Sequence, residues 1–305
     1  MPEAAITGLD LPPLPLEEWE DTKETLHLFL QIVGKIRMTA HPKLNHWWHV
    51  TLYPGVQGLT TGRIPYGAGT FEISFDFFNH SLTVNASGSN TVRFPIAGLS
   101  VADFYAKLMQ TLSTLGIAID IQARPYDHKS TKPFALDHGQ NSYDMDAVNR
   151  FWRALSSTAS VFEEFRGRFV GKSTPVHLFW HSFDLALTRF SGRAAPLEGG
   201  TKADKEAYSH EVISFGFWAG DGNVREAAFY SYAYPEPAGV RDEPLSPSDA
   251  RWVEKDGSNL AFLSYDALRA TADPRAALLS FLQSAYDGAA KRADWSADEL
   301  EHKAL

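Results

Sequence analysis

Eleven histidines and no cysteine set the chemistry that this 305-residue chain can offer. His46 and His49 stand in NHWWHV, His177 in PVHLFW and His210 in YSHEV, each among aromatic or β-branched residues. Neutral imidazoles are the common ligands of iron, copper and zinc where thiolates are lacking. If residues 45–53 form a regular strand, His46 and His49 point to opposite faces, because side chains alternate. A metal would then have to be assembled between strands, from His49, His177 and His210. Without a metal, His49, His210 and the adjacent Glu211 are the candidates for general acid–base work. The plain alternative is that these histidines are core or rim residues hydrogen-bonded to backbone.

Arg37, Arg63, Arg189 and Arg193 fall near the ends of the same aromatic segments. A guanidinium there can grip a carboxylate or phosphate in two parallel hydrogen bonds, so Arg37 and Arg189 are candidate ligand-binding residues, with Trp48 and Trp180 as aromatic walls. Pairing of these arginines with Asp76, Asp184 or Glu211 would be purely structural.

Several signatures fail on spacing. Gly167 to Ser173 has three residues between its glycines where a phosphate loop has four, and a helix precedes it where a strand is required. His210-Glu211 lacks a second histidine three residues on, and no Gly-x-Ser-x-Gly elbow occurs. Thr174, Pro175 and Gly192 could bound a helix placing His177, His181 and Asp184 on one face, the ligand set of non-haem iron sites, but the corresponding earlier run, Trp47 to Tyr53, reads as strand, and a duplication favours strand here as well. Asp144 or Asp146 could hold a divalent ion, or cap the helix that follows.

The elements that must position these residues are legible in outline. Hydrophobic residues make up 44% and charged residues 21%, the balance of a globular chain longer than one usual domain of roughly 100–200 residues. A net charge of −9 excludes an electrostatic footprint for nucleic acid or anionic lipid, and no apolar run reaches the roughly 18 residues that span a bilayer. With no basic and apolar leader at its start, the chain is read as cytoplasmic. The aromatic fraction, 13% with 8 Trp, supplies both core and pocket walls.

Residues 1–16 form an arm, proline-rich over 9–16. Leu26, Phe29, Leu30, Val33 and Ile36 then predict a helix over 17–37. Residues 45–94 read as antiparallel strands, with Phe71 to Phe77 alternating in polarity and a turn at Phe78-Asn79-His80. A helix capped by Ser100 and a strand AIDIQAR close a first half, 17–124. A polar stretch, 125–142, leads to a second half, 143–305. It has a helix over 144–165, strands near 176–190, 209–219, 226–234 and 259–265, and a helix from Asp273, whose cap precedes Pro274. Trp47-Trp48-His49 and Phe179-Trp180-His181 occupy matching places. The expectation is an α+β protein of two similar halves, each an antiparallel aromatic-rich sheet flanked by helices, related by pseudo-two-fold duplication. Matching strand orders would support the duplication and differing ones would oppose it.

The runs Gly34-Lys35-Ile36-Arg37, Asn45 to Val50, Pro175 to Trp180, Ser182 to Ala186, Thr188 to Arg193 and Tyr208 to Val212 together resemble a widespread bacterial family of unknown function. The resemblance spans nearly the whole chain and implies no activity. Two readings follow. One is a His-dependent enzyme, with or without iron, copper or zinc, acting on a small anionic or aromatic molecule in a cleft between the halves. The other is a non-catalytic module that binds a small ligand or a protein, its histidines structural. The sequence says nothing of oligomeric state.

Overall fold

The computed structural model describes residues 8–88, 91–255 and 257–301, so residues 1–7 of the arm lie outside it. Helices α1 (Leu16–Ala40), α2 (Val101–Thr114), α3 (Met145–Gly167), α4 (Lys202–Ala207), α5 (Tyr265–Arg269), α6 (Pro274–Arg292) and α7 (Ala297–Leu300) accompany two six-stranded sheets. The fold is α+β. None of these helices is long and apolar enough to cross a membrane.

The first sheet contains β1 (Tyr53–Pro54), β2 (Leu59–Thr60), β3 (Ile64–Tyr66), β4 (Gly69–Asp76), β5 (Ser81–Ala86) and β6 (Val92–Pro95), in the order β1-β2-β4-β5-β6 with β3 also on β4. The second contains β7 (His177–Phe179), β8 (Asp184–Ala194), β9 (His210–Trp218), β10 (Ala228–Tyr234), β11 (Arg251–Lys255) and β12 (Ser258–Ser264), ordered β11-β12-β10-β9-β8-β7. The strand counts match, but the orders differ, so the sheets do not repeat one topology. The run 173–192 carries strand, which removes the helical arrangement of His177, His181 and Asp184.

By backbone proximity the chain forms two compact units, residues 17–152 with 177–184, and residues 1–16 with 153–176 and 185–305. The division therefore does not fall at 125–142, which belongs wholly to the first of these. We call them the α1 unit and the α6 unit.

Local signals explain most elements. Ser100 caps α2 by accepting from Asp103 N at 3.1 Å, Asp144 caps α3 through Ala147 N at 3.0 Å, and Asp273 caps α6 through Ala276 N at 3.0 Å. Asp76 closes the β4–β5 hairpin, its carboxylate accepting from the N–H groups of Phe78 and Asn79 and from the Asn79 side chain at 2.8–3.1 Å. Two strand expectations fail. AIDIQAR is extended but pairs with nothing in either sheet, and Asn45–Trp47 is a single 3-10 turn. His46 and Trp47 have φ of 53° and 62°, left-handed values that no strand contains and that bulky side chains rarely adopt. The aromatic composition of NHWWHV mimics a strand while its backbone turns.

In the α1 unit, Phe29 of α1 stacks on Phe104 of α2 with centroids 4.1 Å apart. Helix α1 is buried on every side from Thr22 to Arg37. Gly34 makes that possible, since a Cβ there would stand 2.1 Å from Cδ1 of Trp180, whose indole N–H donates to Val50 O at 2.8 Å. In the α6 unit, Leu187, Ile213, Phe215 and Phe217 of the second sheet are buried, as are Leu278, Phe281 and Leu282 of α6. The proline-rich arm belongs to this unit. Asp10 pairs with Arg153 at 2.6 Å, Pro12 O accepts from Tyr265 Oη at 2.8 Å, and Leu14 and Leu16 are buried.

Gly34→Ala should destabilise the protein by about 1–3 kcal/mol, because the cost of overpacking against Trp180 exceeds the roughly 1 kcal/mol helix-propensity gain of alanine. Urea unfolding followed by tryptophan fluorescence measures this, and an unchanged or higher midpoint would show that the indole has another seat.

Candidate functional site

The polar residues of α1 form one stripe. Glu24, His27, Gln31 and Lys35 recur at three- and four-residue spacing on a helix whose other positions are mostly apolar. Gln31 accepts from Tyr126 N at 2.8 Å and donates to Tyr126 O at 2.9 Å, which fixes its amide and ties the irregular 125–142 segment to the helix. The same Nε2 lies 3.2 Å from His27 Nε2, and that nitrogen lies 3.1 Å from His181 O. One imidazole nitrogen cannot accept from Gln31 and donate to His181 O together, so these contacts alternate with the tautomer of His27. His128 accepts from Ser130 N at its Nδ1, leaving Nε2 as the protonated nitrogen facing Glu24 Oε2 at 2.9 Å. Lys23 and Lys129 approach the same carboxylate at 3.2 and 3.3 Å. Burial raises the Glu24 carboxyl, but His128 and the two lysines outweigh it and hold it well below the usual carboxylate range. Burial, then the neighbouring His128, pushes the His27 imidazole down to about 3. Lys35, itself buried with its Nζ 5.5 Å from the Trp180 ring centroid, is pushed down by desolvation.

Arg37 and His177 make a second buried group in this unit. Arg37 donates to Thr61 O, reaches Tyr53 Oη at 3.4 Å, and lies over the Tyr53 ring with Cζ 5.2 Å from its centroid. His177 has 0% exposure, and neither of its ring nitrogens has a hydrogen-bond partner. Burial first, then the Arg37 charge, pushes its imidazole down to about 3. His49 is buried elsewhere in the unit, its Nδ1 accepting from Leu44 N at 3.3 Å and its ring 5.2 Å from Trp47. Trp48 is half-buried beside His46, and Trp180 is seated on Gly34.

The α6 unit holds a cleft of about 240 Å³. It is lined by Glu211 of β9, by Tyr234, Pro235 and Glu236, and by Arg292 and Trp295. Glu211 Oε2 takes Ser191 Oγ at 2.8 Å, Arg193 Nε at 2.8 Å and Trp295 Nε1 at 3.0 Å. Alternation along β8 and β9 puts Ser191, Arg193 and Glu211 on one face, and the run after α6 brings Trp295 to them. None of these bonds uses Glu211 Oε1. Arg193 also donates to Asp294 O at 3.1 Å and to Ala293 O. Arg292 is held by Glu243, with Nε 2.5 Å from Oε1. Arg193 and Trp295 thus spend their side-chain N–H groups within the protein, whereas Arg292 is bonded to Glu243 through Nε alone.

His210 begins β9 with Nδ1 3.0 Å from Ser209 Oγ. Arg189 is buried under aromatic rings, with Cζ 3.6 Å from the Phe165 centroid, 4.5 Å from Tyr286 and 4.9 Å from Phe169, and it donates to Phe165 O. Burial pushes this guanidinium down to about 10. The rings enclose Arg189 instead of presenting it to a ligand. Among the described residues, no three or more His, Asp or Glu side chains are grouped to hold a metal ion. His49 and His177 belong to the α1 unit and His210 to the α6 unit, each in its own setting.

The motif residues Ser191, Arg193 and Glu211 come from two separate runs that the fold joins in one network. The chain belongs to a family of unknown function, DUF5996. The family's model matches residues 11–302, and so covers both units and the cleft. No curated protein and no solved structure matches the chain.

His27, Gln31 and His128 were not singled out from the sequence, although the periodic polar positions of α1 were a signal. Trp295 and Glu236 carried none, since each meets the cleft only through folding.

Both His27 and His177 have folded pKa values below the usual histidine value, so the unfolded chain binds more protons between about pH 6.5 and pH 3. Their stabilising neutrality is intact above pH 6.5 and is lost as pH falls toward 3, at up to about 1.4 kcal/mol per pH unit for each. Thermal midpoints at pH 7.5, 6.5, 5.5 and 4.5 should therefore fall steadily below 6.5. A flat profile would mean that neither imidazole stays neutral in the folded protein.

Proposed function

We propose that this protein is a small-ligand-binding module whose α6-unit cleft takes an amine-bearing molecule, an ammonium or guanidinium. The observation that carries the reading is the state of Glu211. Three donors orient its carboxylate through Oε2, while Oε1 takes none of them. A carboxylate oriented in advance needs no reorganisation on binding, and a charged N–H donor makes the stronger kind of hydrogen bond to it.

The neighbouring groups favour the same class. Trp295 Nε1 and Arg193 Nε are occupied by Glu211 and Arg292 Nε by Glu243, so of these three side chains only the Arg292 Nη groups are left to an entering carboxylate or phosphate. The net charge of −9 also draws cations to the surface. Tyr234, Pro235 and Pro237 supply flat apolar contact. This reading replaces an anionic ligand gripped by Arg189, whose guanidinium is enclosed by aromatic rings.

A thermal-shift panel of aliphatic amines, guanidines, polyols and carboxylates tests the proposal. Amines or guanidines should raise the melting temperature, and Glu211→Gln should weaken the midpoint of that response about tenfold or more, the cost of a lost charge-assisted bond. Stabilisation by carboxylates alone, or an amine response that Glu211→Gln leaves intact, would refute it.

A further inference from the structure

Arg37 sits in the last turns of α1 at 2% exposure, and among the described residues no Asp or Glu forms an ion pair with it. A buried guanidinium without a counter-charge is unusual, because charges removed from water are ordinarily paired. Its visible compensation is incomplete. Thr61 O and Tyr53 Oη accept from the two Nη groups, and the Tyr53 ring lies under the cation, but the Nε–H is buried without an acceptor. Beside the same tyrosine, 6.4 Å between ring centroids, lies His177, fully buried and with both ring nitrogens unmatched. A neutral imidazole offers one N–H and one lone pair, so the pair presents two unmatched buried donors and one unmatched acceptor beside a permanent positive charge that has no counter-charge.

We propose that Arg37 and His177 bind a buried, halide-sized anion, chloride under ordinary conditions. The site's chemistry selects for size and charge. Thr61 and His177 have 0% exposure, so a larger carboxylate or phosphate would bring polar oxygens into surroundings that cannot solvate them. A monatomic anion accepts from the Arg37 Nε–H and the His177 N–H and has no further polar atoms to satisfy. It also supplies the missing counter-charge, which a water molecule does not. The site belongs to the α1 unit and is independent of the amine cleft.

The test uses the full chain. Thermal midpoints are compared in sodium chloride, sodium bromide and sodium gluconate at matched ionic strength, and crystals grown in bromide are measured at the bromine absorption edge. We expect a saturable rise of about 2 °C or more in halide over gluconate, together with an anomalous peak between Arg37 Nε and His177. Arg37→Met, close in length and uncharged, should abolish the halide response. If that variant does not fold, His177→Phe should shift the half-saturating halide concentration about tenfold upward, the effect of one lost donor. Equal midpoints in all three salts, an ordered water with no anomalous signal, or a halide response that survives in Arg37→Met or is unmoved in His177→Phe would overturn the proposal.

Discussion

Helix α1 is buried on every side and yet carries Lys23, Glu24, His27, Gln31, Lys35 and Arg37 in its sequence, and the α1 unit is organised around this conflict. A polar group inside a protein is tolerated where it finds a partner, so each of these side chains dictates what must pack beside it. Gln31 captures the backbone of Tyr126, Glu24 gathers His128 and two lysines, and His27 faces His181 O. The irregular 125–142 segment and the short 177–184 stretch are therefore tied to α1 by hydrogen bonds as well as by apolar burial. Gly34 completes the arrangement by giving up its side chain to the Trp180 ring.

The α6 unit resolves its buried charges differently. Arg189 is enclosed by rings, a solution suited to a guanidinium because its flat, weakly hydrated face stacks on aromatics. Glu211 is instead saturated on one oxygen by a hydroxyl and a guanidinium from β8 and an indole from the segment after α6. That network ties β8, β9 and the segment after α6 together, and it leaves a carboxylate lining a cleft. Under the proposed function one side chain would serve both structure and binding, since what immobilises the carboxylate would also prepare it to accept a ligand.

The two groups have opposite electrostatic needs. Around Glu211 the Arg193 guanidinium and the Trp295 indole are already bonded and Oε1 takes none of their bonds, whereas around Arg37 and His177 the unmatched buried donors outnumber the unmatched acceptors.

By itself the sequence determined the α+β class, the helices α1, α2, α3 and α6 with caps at Ser100, Asp144 and Asp273, the β4–β5 hairpin and family membership, because these depend on local periodicity, capping chemistry and contiguous motifs. It also offered Asp76, Asp184 or Glu211 as structural partners for the four arginines without assigning pairs, and the fold joins Arg193 to Glu211. Tertiary structure alone decided the rest. The left-handed backbone at His46 and Trp47 turns a strand-like composition into a turn, and β11 appears within a stretch that reads as loop. The sheets share a strand count but not an order, which no local pattern encodes. His49, His177 and His210 look alike in sequence, yet the fold places them in three different environments, His49 against Leu44 N and Trp47, His210 beside Ser209, and His177 beside Tyr53 more than a hundred positions away. Trp295 meets Glu211 across 84 positions for the same reason, that a hydrogen bond between distant segments exists only once the chain between them has folded.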